Sequence, residues 1–218
     1  MAITTGPALV DAIRQLLIEG HYPPDKPLSE LGLAKIFEVS RTPVREALKQ
    51  LQVEGWLEVR PRVGTFVREP SLRQVAELYE IKEVLEGLAA RLVAGRGDIP
   101  EFLHLEANIE ASKRAVKRHD SRTYAELVLQ FHTILIDAAD HRELSEQYRT
   151  LMRRLQYQRL VLRTFQARSE RMEASIAEHE DVLRRIVEKN RFGAEDAMRQ
   201  HVRTTSREAL RESAVPQA

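Results

Sequence analysis

The sequence predicts a mainly α-helical protein of two domains: an N-terminal winged helix-turn-helix with three helices and a β-hairpin wing, then an antiparallel all-α bundle of about six helices. The 218 residues exceed the usual size of one domain, so two hydrophobic cores are expected. Apolar residues recur at helical spacing over most of the chain, and only two short segments alternate as strands do. We place the domains at residues 1–70 and 71–213 and expect a disordered tail over 214–218.

The first two helices are predicted from periodicity and from the residues that end it. Residues 8–19 carry apolar side chains at helical spacing, and Gly20 ends that pattern. Residues 29–37 form the second helix, which opens at Ser29. Each helix therefore has one apolar side to bury.

The third helix is predicted from the proline near its start. Because a residue before proline is pushed out of helical geometry, Thr42 is the expected N-cap and Pro43 the first helical residue. Ser40 is the competing cap. The helix ends at Gly55, since glycine is the usual residue after a helix.

A β-hairpin follows the third helix. Residues 56–60 and 65–68 alternate apolar and polar side chains, and residues 61–64 contain the proline and glycine of a turn. Three helices followed by a hairpin are typical of a winged helix-turn-helix, and Glu69 to Ser71 mark its end.

From Ser71 onward the sequence shows only helical periodicity. Five breaks divide it into six helices, at residues 95–98, 119–120, 140–141, 167–169 and 190–191. The apolar stripes are wide and follow no sustained heptad, which favours an antiparallel bundle over a coiled coil.

Composition excludes several classes of protein. No apolar run approaches the length of about 18 residues that a transmembrane helix needs, and the first residues lack the features of a signal peptide, so we expect a cytoplasmic protein without a membrane partner. The sequence has no cysteine, which excludes disulfides and thiolate metal sites. The net charge of +1 is too small for non-specific coating of nucleic acid, so DNA binding would depend on local basic residues.

Several motifs in the first domain occur in a fixed order. The segment from Val39 to Leu48, with Leu51, residues 54–57 and residues 64–67, resembles the GntR family of bacterial regulators. The resemblance covers residues 8–68 and implies a DNA-binding head. Asp25 and Glu38 depart from the family pattern, which often has glycine at both positions, and both lie in predicted turns.

The predicted recognition helix presents basic residues at its N-terminal end. Residues there enter the major groove in helix-turn-helix proteins, and arginine can donate two hydrogen bonds to guanine. Two like-charge pairs four residues apart, Arg41 with Arg45 and Arg45 with Lys49, mildly destabilise a free helix and are relieved by phosphates. An ordinary solvated helix face is the alternative. The predicted DNA contacts are Arg41, Thr42, Arg45 and Lys49 on the helix and Arg62 and Gly64 in the wing.

Three histidines lie on the apolar stripes of three predicted helices: His132, His179 and His201. Helices of a bundle can bring such residues into one interior site, and three neutral imidazoles suit Zn²⁺ or Ni²⁺. The alternative for each is a core histidine hydrogen-bonded to a backbone carbonyl.

The histidine segments also resemble a known domain. Phe131-His132, Glu178-His179 and residues 199–202, with a looser match over 78–86, resemble the FCD effector domain of the FadR branch of the GntR family. The resemblance covers residues 74–212 and implies a dimer that binds a small organic acid, with or without a divalent metal.

Two departures from that domain bear on its ligands. Val128 stands where metal-binding members place an aspartate ligand, so either three histidines hold the metal with water or effector oxygens, or the site is metal-free and binds the effector directly. Lys82 replaces a common arginine and is the expected counter-ion of a carboxylate effector.

Together these observations predict a dimeric transcriptional repressor, not an enzyme, that binds a pseudo-palindromic operator and responds to a small organic acid. A metal-responsive regulator is one alternative. A metal-dependent hydrolase or lyase is another, but there is no His-Glu-x-x-His motif, and we expect Glu178 and Glu180 to point away from the face of His179.

Overall fold

A computed structural model describes residues 6–97, 99–168 and 170–213. The chain divides into two compact units, residues 1–70 and 71–218, which are described separately. Residues 1–5 of the predicted first domain and the predicted tail over 214–218 lie outside the described residues.

The first unit contains three helices and one antiparallel hairpin within its described part. The elements are α1 (Gly6–Ile18), α2 (Glu30–Ile36), α3 (Arg41–Val53), β1 (Leu57–Arg60) and β2 (Gly64–Val67). In the hairpin Leu57 pairs with Val67 and Arg60 pairs with Gly64. This order of elements confirms the predicted winged helix-turn-helix.

The core of the first unit forms where α1 packs against α3. Ile13, Leu17, Val44 and Leu51 are fully buried there, and Trp56 closes the core beside the hairpin. Full burial of each such side chain contributes roughly 1.5–3 kcal/mol. The buried side of α3 thus fixes which of its residues face solvent.

Helix α3 begins earlier than predicted. Its N-cap is Ser40, with extended backbone, so Arg41 is the first helical residue and the expectation for Thr42 was wrong. Proline is tolerated at the third helical position because the first four N–H groups of a helix have no partner within it. Pro43 therefore occupies the first turn without breaking a hydrogen bond.

Two turns of this unit require unusual backbone conformations. Glu38 has φ of 54°, a left-handed conformation that favours glycine and explains the family preference at this position. Gly64 has φ of 145°, and a Cβ there would lie 2.9 Å from Cβ of Pro27. Gly64 thus has a structural role in seating the wing against the preceding loop.

The second unit is a bundle of seven helices within the described residues, rather than about six. They are α4 (Leu72–Ala94), α5 (Glu101–Lys117), α6 (Ser121–Ala138), α7 (Arg142–Leu155), α8 (Tyr157–Ala167), α9 (Glu170–Val187) and α10 (Arg191–Ser213). The extra break is at Gln156, whose φ of 49° is left-handed. No glycine or proline stands at this break, and therefore the sequence analysis predicted one continuous helix there.

The long helices α4 and α10 pack along each other, and α6 and α9 lie beside them. Among the described residues, no helix has both the length and the apolar character that crossing a membrane requires. The bundle interior is unusual in its polarity, since Lys82, Glu86 and three histidines are almost completely buried.

Candidate functional site

The exposed side of α3 carries the residues predicted to contact DNA. Arg41, Thr42, Arg45 and Lys49 all face solvent, since Val44 and its apolar neighbours face the core. The helix therefore presents a basic surface that includes its first turn, where helix-turn-helix proteins contact bases.

A carboxylate from α2 holds two of these arginines. Glu30 Oε2 accepts hydrogen bonds from Arg41 Nη2 and Arg45 Nη2, both at 3.0 Å, and Oε1 accepts from Arg45 Nε at 3.2 Å. These contacts with Arg45 and Arg41 lower the pKa of Glu30. Because Glu30 already neutralises part of this charge, the like-charge pair of Arg41 with Arg45 is no longer evidence for phosphate contacts.

The second predicted like-charge pair is also relieved within the chain. Lys49 Nζ donates to Glu46 Oε1 at 2.9 Å on the same exposed side of α3. The exposure and the position of these residues, rather than unpaired charge, thus support DNA binding by α3.

The wing presents Arg62 at its tip. Arg62 is exposed and adopts a left-handed φ of 63°. Arg60, by contrast, stacks over the Phe66 ring at 4.1 Å and donates to Glu58 at 2.7 Å. Arg60 is therefore held by contacts within the hairpin, whereas Arg62 lies exposed in the turn between the two strands.

The histidine cluster, defined as His132, His179 and His201, lies inside the second unit. His132 comes from α6, His179 from α9 and His201 from α10, and all three are buried. The Nε2 atom of His201 lies 3.3 Å from Nε2 of His179 and 3.4 Å from Nε2 of His132. The three rings thus point the same type of nitrogen at one small volume.

The two separations from His201 match those between ligands of a tetrahedrally coordinated metal ion. Zn–N bonds of about 2.0–2.1 Å place neighbouring ligand atoms about 3.3–3.4 Å apart in a tetrahedron. The cluster offers one ligand atom from each residue, all within 4.8 Å of one another. Three histidines of this kind leave further positions for water or an effector oxygen.

Two of the rings each have a carboxylate next to the Nδ1 atom, on the side away from the other histidines. Glu178 Oε2 is 2.7 Å from Nδ1 of His201 and accepts from Arg171 at 2.5 Å. Glu86 Oε1 is 3.1 Å from Nδ1 of His132, close enough for an ion pair but poorly aligned for a hydrogen bond. Carboxylates in this position orient metal-binding histidines and increase their basicity.

Glu178, expected to lie off the helical face of His179, reaches the site through His201 on the neighbouring helix. Helix α10 packs against α9 and brings His201 to the side of α9 that carries Glu178. Glu180 does face away, and its carboxylate is 2.7 Å from Lys113 Nζ. Because Glu178 is held by His201 and Arg171, it is poorly suited to act as a general base for hydrolysis.

Burial favours the uncharged form of all three histidines. It lowers the pKa of His132 to about 4, against the opposing effect of Glu86. It also lowers the pKa of His201, and it lowers that of His179 well below the usual value, helped by the neighbouring imidazoles. Neutral imidazole is the form that binds metals.

Glu86 is the centre of a buried polar network that the sequence analysis did not assign to the site. Its Oε2 accepts from Lys82 Nζ at 2.7 Å and its Oε1 from the Tyr148 hydroxyl at 2.7 Å. Burial alone would raise the pKa of Glu86, but His132 and Lys82 outweigh it and lower the pKa. The sequence signal that could have revealed this pair is that Glu86 follows Lys82 by four residues, which places both on the buried side of α4.

Two tyrosines next to this network have unsatisfied hydroxyls. Tyr79 and Tyr157 are buried, and neither hydroxyl has a hydrogen-bond partner among the described residues. The Tyr157 ring lies 4.7 Å from Lys82 Nζ and 6.0 Å from the His132 ring. An unsatisfied buried hydroxyl costs roughly 1–3 kcal/mol, so a ligand or water that supplied a partner would recover that cost.

A surface groove lies between α9 and α10 and borders the histidine cluster at His201. Its volume is about 440 Å³, and its lining includes Glu178, His201, Asp181, Asp196 and Arg185. Of the histidine cluster the groove touches only His201, whose side chain is 1% exposed, and the charged residues of its lining are mainly acidic.

Comparison with protein families matches both units. Residues 6–67 match the family described as bacterial regulatory proteins, gntR family, and residues 77–204 match the FCD domain. The two matches together span most of the chain.

Curated relatives are similar over most of their lengths. An uncharacterized HTH-type transcriptional regulator of Bacillus subtilis (strain 168) is 28% identical, with 87% of this chain and 82% of the relative covered. The HTH-type transcriptional repressor RspR of Escherichia coli (strain K12) is 29% identical, covering 84% and 79%. The probable D-xylose utilization operon transcriptional repressor of Paenarthrobacter nicotinovorans is 32% identical, covering 65% and 62%.

Solved structures share the fold. McbR/YncC of E. coli has a TM-score of 0.80 at 20% identity, with 95% of this chain and 98% of that chain covered. A putative GntR regulator of Rhodococcus sp. RHA1 has a TM-score of 0.78 at 18% identity, covering 97% and 99%.

Proposed function

Because the chain belongs to the GntR family of DNA-binding transcriptional regulators and carries an FCD domain, we propose that it is a cytoplasmic repressor rather than an enzyme, and that it acts as a homodimer. In this proposal the winged helix-turn-helix binds operator DNA and the bundle binds a divalent metal and a small organic acid. The observation that carries it is the convergence of three buried Nε2 atoms in the FCD domain.

The proposed DNA contacts divide into two groups. Arg41 and Arg45 read bases, since their guanidinium groups are exposed at the start of α3 and match guanine in geometry. Contacts to the DNA backbone come from Thr42, Lys49, Arg62 and the Gly64 main chain, which position the head without specifying sequence.

The histidine cluster would hold the metal. Its donor set is three neutral imidazoles, which suits Zn²⁺ or Ni²⁺, and Val128 contributes no ligand. Glu86 and Glu178 would keep Nδ1 of His132 and His201 protonated, so that each Nε2 presents a lone pair. When bound, the ion supplies a Lewis-acidic centre for the oxygen atoms of the effector.

The effector is proposed to be a small carboxylate. Its oxygens would complete the metal shell, and its remaining polar groups would pair with the Tyr79 and Tyr157 hydroxyls. Lys82 stays a candidate counter-ion, but its ammonium group is fully buried and already bonded to Glu86. An effector carboxylate would therefore have to share Lys82 with Glu86.

A second candidate is a regulator for which the metal itself is the signal. The acidic groove leading to His201 and the absence of an aspartate at position 128 both favour reversible metal binding. Operator affinity that follows free Zn²⁺ without any organic acid would favour this candidate over the first.

The proposal is tested by DNA selection with the full-length chain. Selection from random-sequence duplexes should enrich a pseudo-palindrome with half-sites about one helical turn apart, and the mass of the complex should correspond to two chains per duplex. Metal analysis of the same protein should give one ion per chain. A single half-site bound by one chain would contradict the dimer, and a metal-free protein that Zn²⁺ does not stabilise would contradict the metal site.

A further inference from the structure

Glu30 makes ion pairs with two exposed arginines on the surface of the DNA-binding head. It lies at the start of α2, and its partners Arg41 and Arg45 are exposed residues of α3. The three together form an ion-pair cluster on the surface, while the apolar core below them is complete without it. Exposed ion pairs of this kind contribute little to stability, so stability does not account for the two contacts of Glu30.

We propose that Glu30 is a specificity-determining residue of the DNA-binding head, which fixes the orientation of Arg41 and Arg45 and weakens their attraction for phosphates of any sequence. The inference rests on the proposed function, because it requires these arginines to contact bases. Glu30 acts through the arginines and is a positioning residue.

The hydrogen bonds explain the orientation. Arg45 uses Nε and Nη2 for Glu30, which leaves both N–H groups of Nη1 and one of Nη2 to donate elsewhere. A guanine presents O6 and N7 to such a pair of donors. The arginine side chains are 54% and 62% exposed while that of Glu30 is 29% exposed, so the carboxylate lies beneath the guanidinium groups.

The charges explain the selectivity. Two arginines alone would present two positive charges to the phosphates of any DNA, and the carboxylate reduces the sum to one. Non-specific affinity comes from phosphate neutralisation and counterion release, and therefore falls when local positive charge falls. Base-edge hydrogen bonds depend on geometry and retain their contribution, so the ratio of specific to non-specific affinity rises.

The test compares two duplexes and three variants of the full-length chain. The duplexes are the sequence enriched by selection from a random pool and a scrambled duplex of equal composition. The variants are Glu30→Gln, which removes the charge, Glu30→Asp, which keeps it on a side chain too short to reach both arginines, and Glu146→Gln. The last is the matched control, because Glu146 forms an exposed ion pair with Arg142 in the other unit. Dissociation constants are measured by fluorescence anisotropy over a series of KCl concentrations.

Glu30→Gln should bind the scrambled duplex more tightly with a steeper salt dependence, and its ratio of selected to scrambled affinity should fall about tenfold, the discrimination expected from one arginine–guanine pair. Glu30→Asp should lose the ratio while keeping weak non-specific binding, because charge remains but orientation is lost. The inference is overturned if both Glu30 variants match Glu146→Gln in affinity and in ratio. Thermal melting identifies a variant that does not fold, and the other Glu30 variant then decides the result.

Arg45→Ala separates the two possible failures. If Arg45→Ala leaves the affinity ratio unchanged, Arg45 does not read bases and the proposed function is wrong at that residue. If Arg45→Ala lowers the ratio while both Glu30 variants preserve it, only the inference about Glu30 is wrong.

Discussion

The Nε2 atoms of His132 and His201 lie 3.4 Å apart, although the two residues are 69 positions apart in sequence. Each ring has a carboxylate close to its Nδ1 atom, at 3.1 Å for His132 and 2.7 Å for His201. With the protons on Nδ1, as proposed above, the Nε2 lone pairs of the two rings face each other inside the bundle. Burial lowers the pKa of both histidines and so disfavours protonation of these nitrogens. A cation bound between the two nitrogens, as proposed above, would remove this repulsion, and the first three predictions follow from that proposal.

Replacing Glu178 tests the role of the carboxylate behind His201. Glu178→Gln should lower Zn²⁺ affinity about 10- to 100-fold, because the amide orients the imidazole less strongly and makes it less basic. Competition with a chromophoric chelator measures the affinity. Glu180→Gln, two residues away and paired with Lys113, is the control and should bind Zn²⁺ as the wild type does. Equal affinities for the two variants would mean that Glu178 does not support the metal site.

Restoring the missing ligand should have opposite effects with and without metal. Val128 is 3% exposed and lies one helical turn before His132. Val128→Asp should tighten Zn²⁺ binding at least about tenfold, since a carboxylate joins the donor set. The same change should lower the unfolding free energy of the metal-free protein by about 3 kcal/mol, because the buried charge has no partner.

Val128→Asn is the matched control for this experiment. It introduces a polar group of similar shape without the charge, so it should destabilise the protein but not tighten Zn²⁺ binding to the same extent. Thermal melting with and without Zn²⁺ measures both effects. If the two variants show the same Zn²⁺-dependent shift, position 128 does not face the metal.

The metal-free protein should lose stability on mild acidification. The pKa of His132 is about 4 in the folded protein and about 6.5 in the unfolded chain, so the unfolded chain binds more protons between these values. The stabilising contribution is complete above pH about 6.5 and is lost as the pH falls toward 4, by roughly 3 kcal/mol from His132 alone.

Urea denaturation of the chelator-treated protein at several pH values measures this effect. His132→Phe should reduce the dependence on pH within this window, whereas His104→Gln, at an exposed position of α5, should retain it. A pH dependence equal in both variants would show that the buried imidazole is not its origin.

Removing one arginine tests whether α3 of the DNA-binding head contacts bases. Arg45→Ala should weaken binding to the selected duplex by about 5- to 150-fold, equivalent to about 1–3 kcal/mol, and leave the melting temperature unchanged, since the side chain is exposed. Arg142→Ala, which removes an exposed arginine of the other unit, is the control for charge. If both variants bound the selected duplex with equal affinity, Arg45 would not be a DNA-contacting residue.

The fold was predictable because its signals are local. Periodicity and turn residues predicted the three helices, the hairpin and most helix ends of the bundle. The cap at Ser40 and the break at Gln156 were missed for different reasons. The N-cap was missed because the first helical turn tolerates proline at more than one position. The break was missed because glutamine is not a residue type that indicates a left-handed backbone.

The carboxylates next to the histidine cluster were not predictable from periodicity alone. The three histidines share apolar stripes, which periodicity reveals, but Glu86 and Glu178 reach them only through the packing of separate helices. Glu30 likewise meets Arg45 across 15 positions. A charged residue that pairs across helices looks the same in sequence as one exposed to solvent, so its role depends on the tertiary structure.

We propose that ligands of the histidine cluster control DNA binding, and the affinity for operator DNA measures this coupling. The dissociation constant of the full-length chain for its selected duplex is measured in chelator, with Zn²⁺, and with Zn²⁺ plus a panel of small organic acids. The dissociation constant of the wild type should change at least about fivefold among these states, the lower end of usual allosteric coupling, and that of His179→Phe should not change. A wild-type dissociation constant that is the same in all states would contradict it.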